Sequence, residues 1–107
     1  MWLYTDQGHI SVVADRDNDK KVFVRSRNKL SLVAFMGQHT ILIKKKADYK
    51  YRVHILKTEF AQYLYDYISK MKYDNFKGHL LETGMDTKEY KVYTDVYHAG
   101  LGFEDVD

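Results

Sequence analysis

Two segments of this chain, residues 21–27 and 49–56, alternate apolar side chains with cationic or aromatic ones. Such period-two alternation is typical of a β-strand with one packed face and one wet face. If the two strands are neighbours in one sheet, their cations share the wet face. These cations, which define the basic face, are Arg25, Arg27, Lys50, Arg52 and His54.

A lysine run extends the basic face, and two aromatic residues border it. Lys44, Lys45 and Lys46 precede the second strand, while Phe23 and Tyr49 supply rings. Cations interleaved with rings on an open sheet are one way to hold single-stranded nucleic acid. An acidic protein fits the same charge. The structural alternative is the solvated face of an amphipathic sheet, partly paired with acids from the second half of the chain.

A second candidate site lies in residues 73–77 (Tyr-Asp-Asn-Phe-Lys), where two helices are predicted to meet. The exposed N–H groups at a helix start attract anions, and Asn75 and Lys77 would assist there. The structural alternative is a capped junction in which Asp74 caps the helix and Phe76 packs.

Several other patterns stop short of a catalytic or metal site. Asp15, Asp17 and Asp19 alternate as in a calcium loop, but Lys20 replaces the glycine and Ser26 stands where a bidentate Glu is needed. The five histidines never fall at metal-ligand spacing, and the chain has no Cys. There is no nucleophile elbow and no glycine-rich phosphate loop. No metal and no cofactor are therefore predicted, and a binding protein is favoured over an enzyme.

Composition and charge predict a globular cytoplasmic domain with a polarised charge distribution. Residues 16–57 hold twelve Lys and Arg against three Asp, a net charge of +9, whereas residues 58–107 have a net charge of −5. Such asymmetry favours a partner chosen by charge. The absence of Cys suits a reducing cytosol. No signal peptide and no membrane-spanning run is predicted.

The hydrophobic pattern predicts one α+β domain over residues 1–107, with 103–107 as a frayed acidic tail. The sheet is expected to have four to five mostly antiparallel strands, with helices packed on one face, in the order β-β-β-α-β-β-α-α-α. The predicted elements are strands over 2–5, 10–14 and 21–27, a helix capped by Asn28, strands over 40–44 and 49–56, and helices capped by Thr58, Asp74 and Asp86. Helical spacing predicts one buried stripe on each helix, in chain order Leu30 and Val33 with Phe35 or Met36; Phe60, Leu64, Tyr67, Ile68 and Met71; Phe76, Leu80 and Leu81; and Tyr90, Tyr93, Val96 and Tyr97.

The order and spacing of several short motifs resemble those of a family of short bacterial and phage proteins with no established activity. The motifs are residues 1–5 (Met-Trp-Leu-Tyr-Thr), Gly8, residues 11–13, Arg25, Arg27, residues 48–53, residues 73–77, residues 92–93, Val96 and Tyr97. His9 stands where the family tends to carry an aromatic residue, and Tyr97 where it tends to carry Trp. The resemblance implies a bacterial or phage origin and a stand-alone domain, and it implies no mechanism.

The patterned charge and the absence of catalytic spacing lead to one main hypothesis and two alternatives. The main hypothesis is a non-enzymatic binding protein, encoded by a phage or mobile element, that engages a host protein or nucleoprotein complex in the bacterial cytoplasm, for example as an inhibitor. The first alternative is a single-stranded nucleic-acid-binding protein. The second is a small enzyme or nucleotide-binding domain at the 73–77 junction. An exposed edge at strand 40–44 would also permit a homodimer.

Overall fold

The structure of the protein, a computed structural model, describes residues 1–105. The chain divides into two compact units, Met1–Lys72 and Tyr73–Asp107. Each unit is described by itself, and the single domain expected over residues 1–107 stays a prediction. Of the expected acidic tail, Phe103 ends a short helix and residues 106–107 lie outside the described part of the chain.

The first unit is an antiparallel sheet with two helices. Its elements in chain order are β1 (Trp2–Thr5), β2 (Gly8–Asp15), β3 (Asn18–Ser26), α1 (Lys29–Met36), β4 (Leu42–Ile43), β5 (Tyr51–Leu56) and α2 (Lys57–Ser69). The strands lie in the spatial order β1-β2-β3-β5-β4, and every paired neighbour is antiparallel. With the three elements of the second unit, this confirms the predicted α+β class and element order.

One face of the sheet packs against α1 and α2. The residues of this core are Ile10, Val12, Val24, Leu32, Phe35, Met36, Val53, Ile55 and Phe60. Val24 and Val53 are opposite each other on β3 and β5 and are almost fully buried. Burying a Val side chain contributes roughly 1.5–3 kcal/mol, so these central pairs hold the sheet to its helices.

Helix α1 begins at the predicted cap but only partly buries the expected stripe, since Phe35 and Met36 are buried and Leu30 and Val33 are not. The Asn28 side chain accepts hydrogen bonds from the backbone N–H groups of Leu30 and Ser31 at 2.8 and 3.4 Å. Leu30 is 77% exposed and Val33 40% exposed, so their predicted burial was wrong. The buried stripe is Ser31, Leu32, Phe35 and Met36.

A close contact between α1 and the start of β2 explains this choice of stripe. A Cβ added to Gly8 would lie 2.2 Å from the Ser31 hydroxyl oxygen, so the helix approaches the strand where neither residue has bulk. A large side chain at position 31 would hold the helix away from the sheet. The helix therefore turns its small residue and the apolar residues beside it inward.

The boundary between β5 and α2 also differs from the expected one. Helix α2 starts at Lys57 directly after β5, with Leu56 in the cap position and no side-chain cap, so the predicted Thr58 cap was wrong. Strand β5 runs directly into α2, so no loop residue lies between them whose side chain could cap the helix. Phe60 is buried as predicted, whereas Ile68 and Met71 at the far end of the predicted stripe are exposed.

The second unit consists of two helices and a short 3₁₀ turn. They are α3 (Phe76–Glu82), α4 (Thr87–Ala99) and the turn Gly100–Phe103. Asn75 caps α3 in place of the predicted Asp74, while Asp86 caps α4 as predicted. Leu80 and Tyr93 are buried, but Leu81, expected inward, is 64% exposed.

Strands β1 and β4 form the two edges of the sheet. Strand β4 spans only two residues, shorter than the predicted 40–44, and Leu42 and Ile43 are 46% and 55% exposed. A short edge strand offers few backbone groups for pairing with a second molecule. The homodimer suggested for this edge stays a prediction. Across residues 1–105, no helix combines the length and apolar character required to cross a membrane.

We expect Gly8→Ala to destabilise the first unit more than Gly37→Ala does. Both glycines have positive φ, +123° and +67°, but nothing lies within 4 Å of a Cβ at Gly37. Gly37→Ala should therefore cost only backbone strain, about 2 kcal/mol, because φ +67° with ψ −123° is a conformation that L side chains rarely adopt. Gly8→Ala adds the clash with Ser31 and should cost about 4 kcal/mol. Urea unfolding of the two variants measures the difference, and equal losses would contradict the close packing of α1 on β2.

Candidate functional site

The strand register brings two parts of the basic face together. Strands β3 and β5 are neighbours, with Arg25 directly opposite Arg52 and Phe23 directly opposite His54. Their alternating partners Val24 and Val53 point into the core, so these four side chains lie on the opposite sheet face. The predicted orientation of both strands is therefore correct.

The arginines belong to a row of residues that crosses the whole sheet. Strand pairing places Trp2 opposite Ser11, Ser11 opposite Arg25, Arg25 opposite Arg52, and Arg52 opposite Leu42. We call this set the arginine row. Arg25 donates a hydrogen bond from Nη2 to the Ser11 hydroxyl oxygen at 2.8 Å, which fixes the direction of its guanidinium. Trp2, at the β1 end of the row, is 64% exposed.

Tyr49 gathers the cations at one end of this face. The guanidinium carbons of Arg25 and Arg27 lie 4.6 and 4.5 Å from the centre of its ring. Its backbone carbonyl accepts a hydrogen bond from Arg52 Nη2 at 3.1 Å, and the Asp48 carbonyl accepts one from Arg27 Nη1 at 2.6 Å. Three guanidiniums are thus held around one residue by neutral groups.

No ion pair is found between a carboxylate and any of these three arginines within residues 1–105. The ion pairs found there join other residues, namely His39 with Glu59, His54 with Asp15, and Lys91 with Asp95. The Nε atoms of Arg25 and Arg52 are buried and have no hydrogen-bond partner in the described part of the chain.

The pKa of Arg25 is lower than the ordinary value for arginine. Burial and then the adjacent positive charge of Arg52 lower it, while Tyr49 and Asp48 act in the opposite direction. The cluster therefore carries net positive charge, which an anion would stabilise.

Parallel rings lie beside the arginines. The rings of Phe23 and His54 are stacked, with centroids 4.5 Å apart and planes inclined by 14°. The Arg52 guanidinium carbon is 5.8 Å from the Phe23 ring centre. His54 Nε2 is 2.7 Å from a carboxylate oxygen of Asp15. A backbone hydrogen bond from Asp17 and then the bond with His54 lower the pKa of Asp15, so its charge is already engaged.

A second pair of stacked rings lies at the other end of the face. His9 stacks on Tyr4 at 4.4 Å between ring centroids, and its ring is 6.3 Å from that of Tyr49. Burial and then the charge of Arg27 lower the pKa of His9, and its Nε2 is buried without a hydrogen-bond partner in residues 1–105. At neutral pH His9 is therefore an uncharged aromatic ring.

The predicted lysines lie farther out than the arginines. Lys44, Lys45 and Lys46 are exposed in the connector between β4 and β5, where the Lys44 N–H donates to the Lys50 carbonyl. The Lys50 ammonium lies 5.3 Å from the ring centre of Tyr51, a residue whose strand position faces the core side. These lysines add long-range positive charge, and the arginines form the centre.

The other predicted site residues, Asn75 and Lys77, have local roles in the second unit. The Asn75 side chain accepts a hydrogen bond from the Gly78 N–H at 3.0 Å and so caps α3. The Lys77 ammonium lies 4.7 Å from the Tyr97 ring centre. These contacts correspond to the capped junction given as the structural alternative, and an anion site there stays a prediction.

Sequence reasoning missed Trp2 and Ser11 as parts of this face. Both lie in the arginine row only because β1 pairs with β2 and β2 with β3. The signal for Trp2 was the alternation of residues 2–5, in which Leu3 pairs with buried Ile10 and leaves Trp2 and Tyr4 on the outer side. Ser11 carried no comparable signal, because a lone serine in an apolar strand has many structural uses.

The chemistry of this site suits binding of an anion. In residues 1–105 no group of three or more His, Asp or Glu is placed to hold a metal ion. The His54–Asp15 pair has the Phe23 ring as its stacking neighbour rather than a hydroxyl nucleophile. Guanidiniums with fixed directions recognise phosphates or carboxylates by paired hydrogen bonds.

We expect the stability of the protein to fall as the pH is lowered through the His9 pKa. That pKa is lower in the folded chain than the ordinary value of 6.5, so the native state disfavours protonated His9. The stabilisation is fully present above pH 6.5 and is lost as the pH falls through the native pKa. His9→Phe keeps an aromatic ring but removes the titrating nitrogens. The variant should therefore lose less stability than wild type between neutral and mildly acidic pH.

Thermal melting at a series of pH values measures this dependence. His98→Phe, which alters an exposed histidine on α4, is the matched control and should retain the wild-type profile. If His9→Phe and wild type lose the same stability on acidification, buried neutral His9 is not the cause.

Comparison with known proteins adds no relationship to these observations. No protein-family model matches the chain, and no curated protein and no solved structure matches it either. The resemblance to short bacterial and phage proteins therefore stays a prediction.

Proposed function

We propose that the protein is a non-enzymatic binding protein that engages a host macromolecule through its basic face. The observation that carries the proposal is the group of three guanidiniums around Tyr49, without a carboxylate partner in residues 1–105. Net positive charge held in fixed directions, without an ion pair to these arginines, supports an anionic partner. Encoding by a phage or mobile element, action in the bacterial cytoplasm and inhibition of the partner belong to the same proposal.

The geometry also supports binding over catalysis. The Arg25 guanidinium is tied to Ser11, and Arg52 to the Tyr49 carbonyl, so the cations are positioned before a partner arrives. Pre-positioned charge reduces the entropy lost on binding. The exposed Lys44–Lys46 run adds attraction at longer range, which raises the rate of encounter with an anionic surface.

We expect the combined substitution Arg25→Glu, Arg27→Glu and Arg52→Glu to abolish partner capture. Each change replaces an attractive charge with a repulsive one at the centre of the face, and like charges across an interface cost several kcal/mol. The measurement is affinity capture from bacterial lysate, with and without nuclease, followed by identification of the bound material.

The matched control reverses three exposed lysines on α1 and at the end of α2, by Lys29→Glu, Lys70→Glu and Lys72→Glu. It changes the net charge by the same amount away from the basic face, so capture should persist. Circular dichroism checks that both variants are folded. A folded arginine variant that still captures every wild-type partner would show that the basic face is not the site.

A further inference from the structure

We propose that the anionic partner is single-stranded nucleic acid, held with its phosphates on the arginine row and its bases on the rings beside that row. This inference rests on the proposed function of the basic face and names the partner. The additional evidence is the set of rings that lie beside the cations. Binding of an anion would need only the positive charge.

Along β3 and the residue that follows it, the outward side chains two residues apart are one ring and then two cations. Phe23, stacked on His54, is followed by Arg25, opposite Arg52, and then by Arg27 beside the Tyr49 ring. Residues two apart on a strand are about 6.7 Å apart, so the distance from Phe23 to Arg27 is roughly 13 Å. Sheet faces that bind single strands stack about two or three bases, which this length accommodates.

The rings present flat faces as well as charge. Phe23 is partly buried and His54 is exposed, and their planes are nearly parallel. Trp2 extends the same face at the β1 edge, about 10 Å from Arg25 across two strand spacings, and is 64% exposed. Every nucleotide carries one planar base beside one phosphate, whereas an acidic peptide offers carboxylates without a ring at each. Rings placed beside guanidiniums therefore favour a nucleic acid over an acidic protein.

The guanidiniums have hydrogen-bonding capacity left for phosphates. A guanidinium carries five N–H donors. The side-chain hydrogen bonds found for Arg25, Arg27 and Arg52 each engage one terminal nitrogen, with Ser11, Asp48 and Tyr49 as acceptors. The Asp15 carboxylate, which lies beside the Phe23 and His54 rings, is already paired with His54. The face therefore combines free donors, net positive charge and stacking surface.

Titration of the full chain with an oligothymidylate and an oligouridylate of about ten nucleotides tests the inference. Trp2 is the single tryptophan and lies on the proposed face, so its fluorescence reports binding directly. We expect saturable binding of at least one oligonucleotide with a change in Trp2 fluorescence. Inorganic polyphosphate of matched charge, which has no bases, should bind more weakly.

Phe23→Leu tests the stacking separately from the charge. It should weaken oligonucleotide binding roughly ten-fold, as expected for loss of one stacked base, and leave polyphosphate binding unchanged. Tyr65→Leu removes an exposed tyrosine from α2 and is the matched control, with wild-type binding expected. Binding to both ligands that is equal in strength and insensitive to Phe23→Leu would overturn the inference.

Arg25→Gln tests the phosphate contact. It should lower the slope of log affinity against log salt concentration by about 0.7, the value for one phosphate of a single strand. Arg52→Gln provides the same test if Arg25→Gln lowers the melting temperature. An unchanged salt slope in folded variants of both arginines would contradict a phosphate site on the arginine row.

The experiments distinguish a failure of this inference from a failure of the proposed function. If wild type binds neither oligonucleotide but captures a nuclease-resistant partner that the arginine variant loses, the partner is a protein. The proposed function then stands and the inference is wrong. If the arginine variant loses neither capture nor oligonucleotide binding, both are wrong.

Discussion

The central strand β3 is the element on which the first unit depends. It pairs with β2 on one side and β5 on the other, and its side chains alternate between the helix-covered core and the outer face. Val24 is fully buried on one side of this strand, and Arg25 lies on the other. A shift of register by one residue would exchange the two, placing a guanidinium in the core at a cost of several kcal/mol. The burial of Val24 therefore orients the arginines.

Tyr49 brings the outward-pointing arginines together in one cluster. Guanidiniums repel one another, and the charge of Arg52 contributes to lowering the pKa of Arg25. The Tyr49 ring and the Ser11 hydroxyl keep them together by a cation–π contact and a neutral hydrogen bond. Such support holds the side chains in place without neutralising them. A carboxylate in place of Ser11 would give a more stable face with less attraction for an anion.

On the other face of the sheet, Gly8 and Ser31 set how closely α1 packs against β2. Gly8 leaves room for Ser31, which lets α1 approach closely and bury Leu32 and Met36 almost completely. The helix-side packing secures the sheet, and the outer face is then not needed for the core of this unit. Rings and cations can therefore occupy the outer face without destabilising the core.

The sequence by itself determined the α+β class, the element order and the outward direction of Arg25, Arg52 and His54. These follow from local periodicity, since a strand with one buried face must alternate. It also determined the caps at Asn28 and Asp86, because a side chain that accepts hydrogen bonds from the next turn acts locally. The predicted Asp74 cap was wrong because the adjacent Asn75 has equivalent capping chemistry. The predicted Thr58 cap was wrong because β5 runs directly into α2.

The tertiary structure alone decided which helix residues are buried and which residues meet on the basic face. Leu30 and Val33 are as apolar as Leu32, and the contact with Gly8 selected the stripe. Trp2 and Ser11 joined the arginine row through strand pairing, and Tyr49 came to lie against Arg25 across a long separation in sequence. Pairing and close approach depend on residues far apart in the chain, and periodicity within one segment carries no information about them.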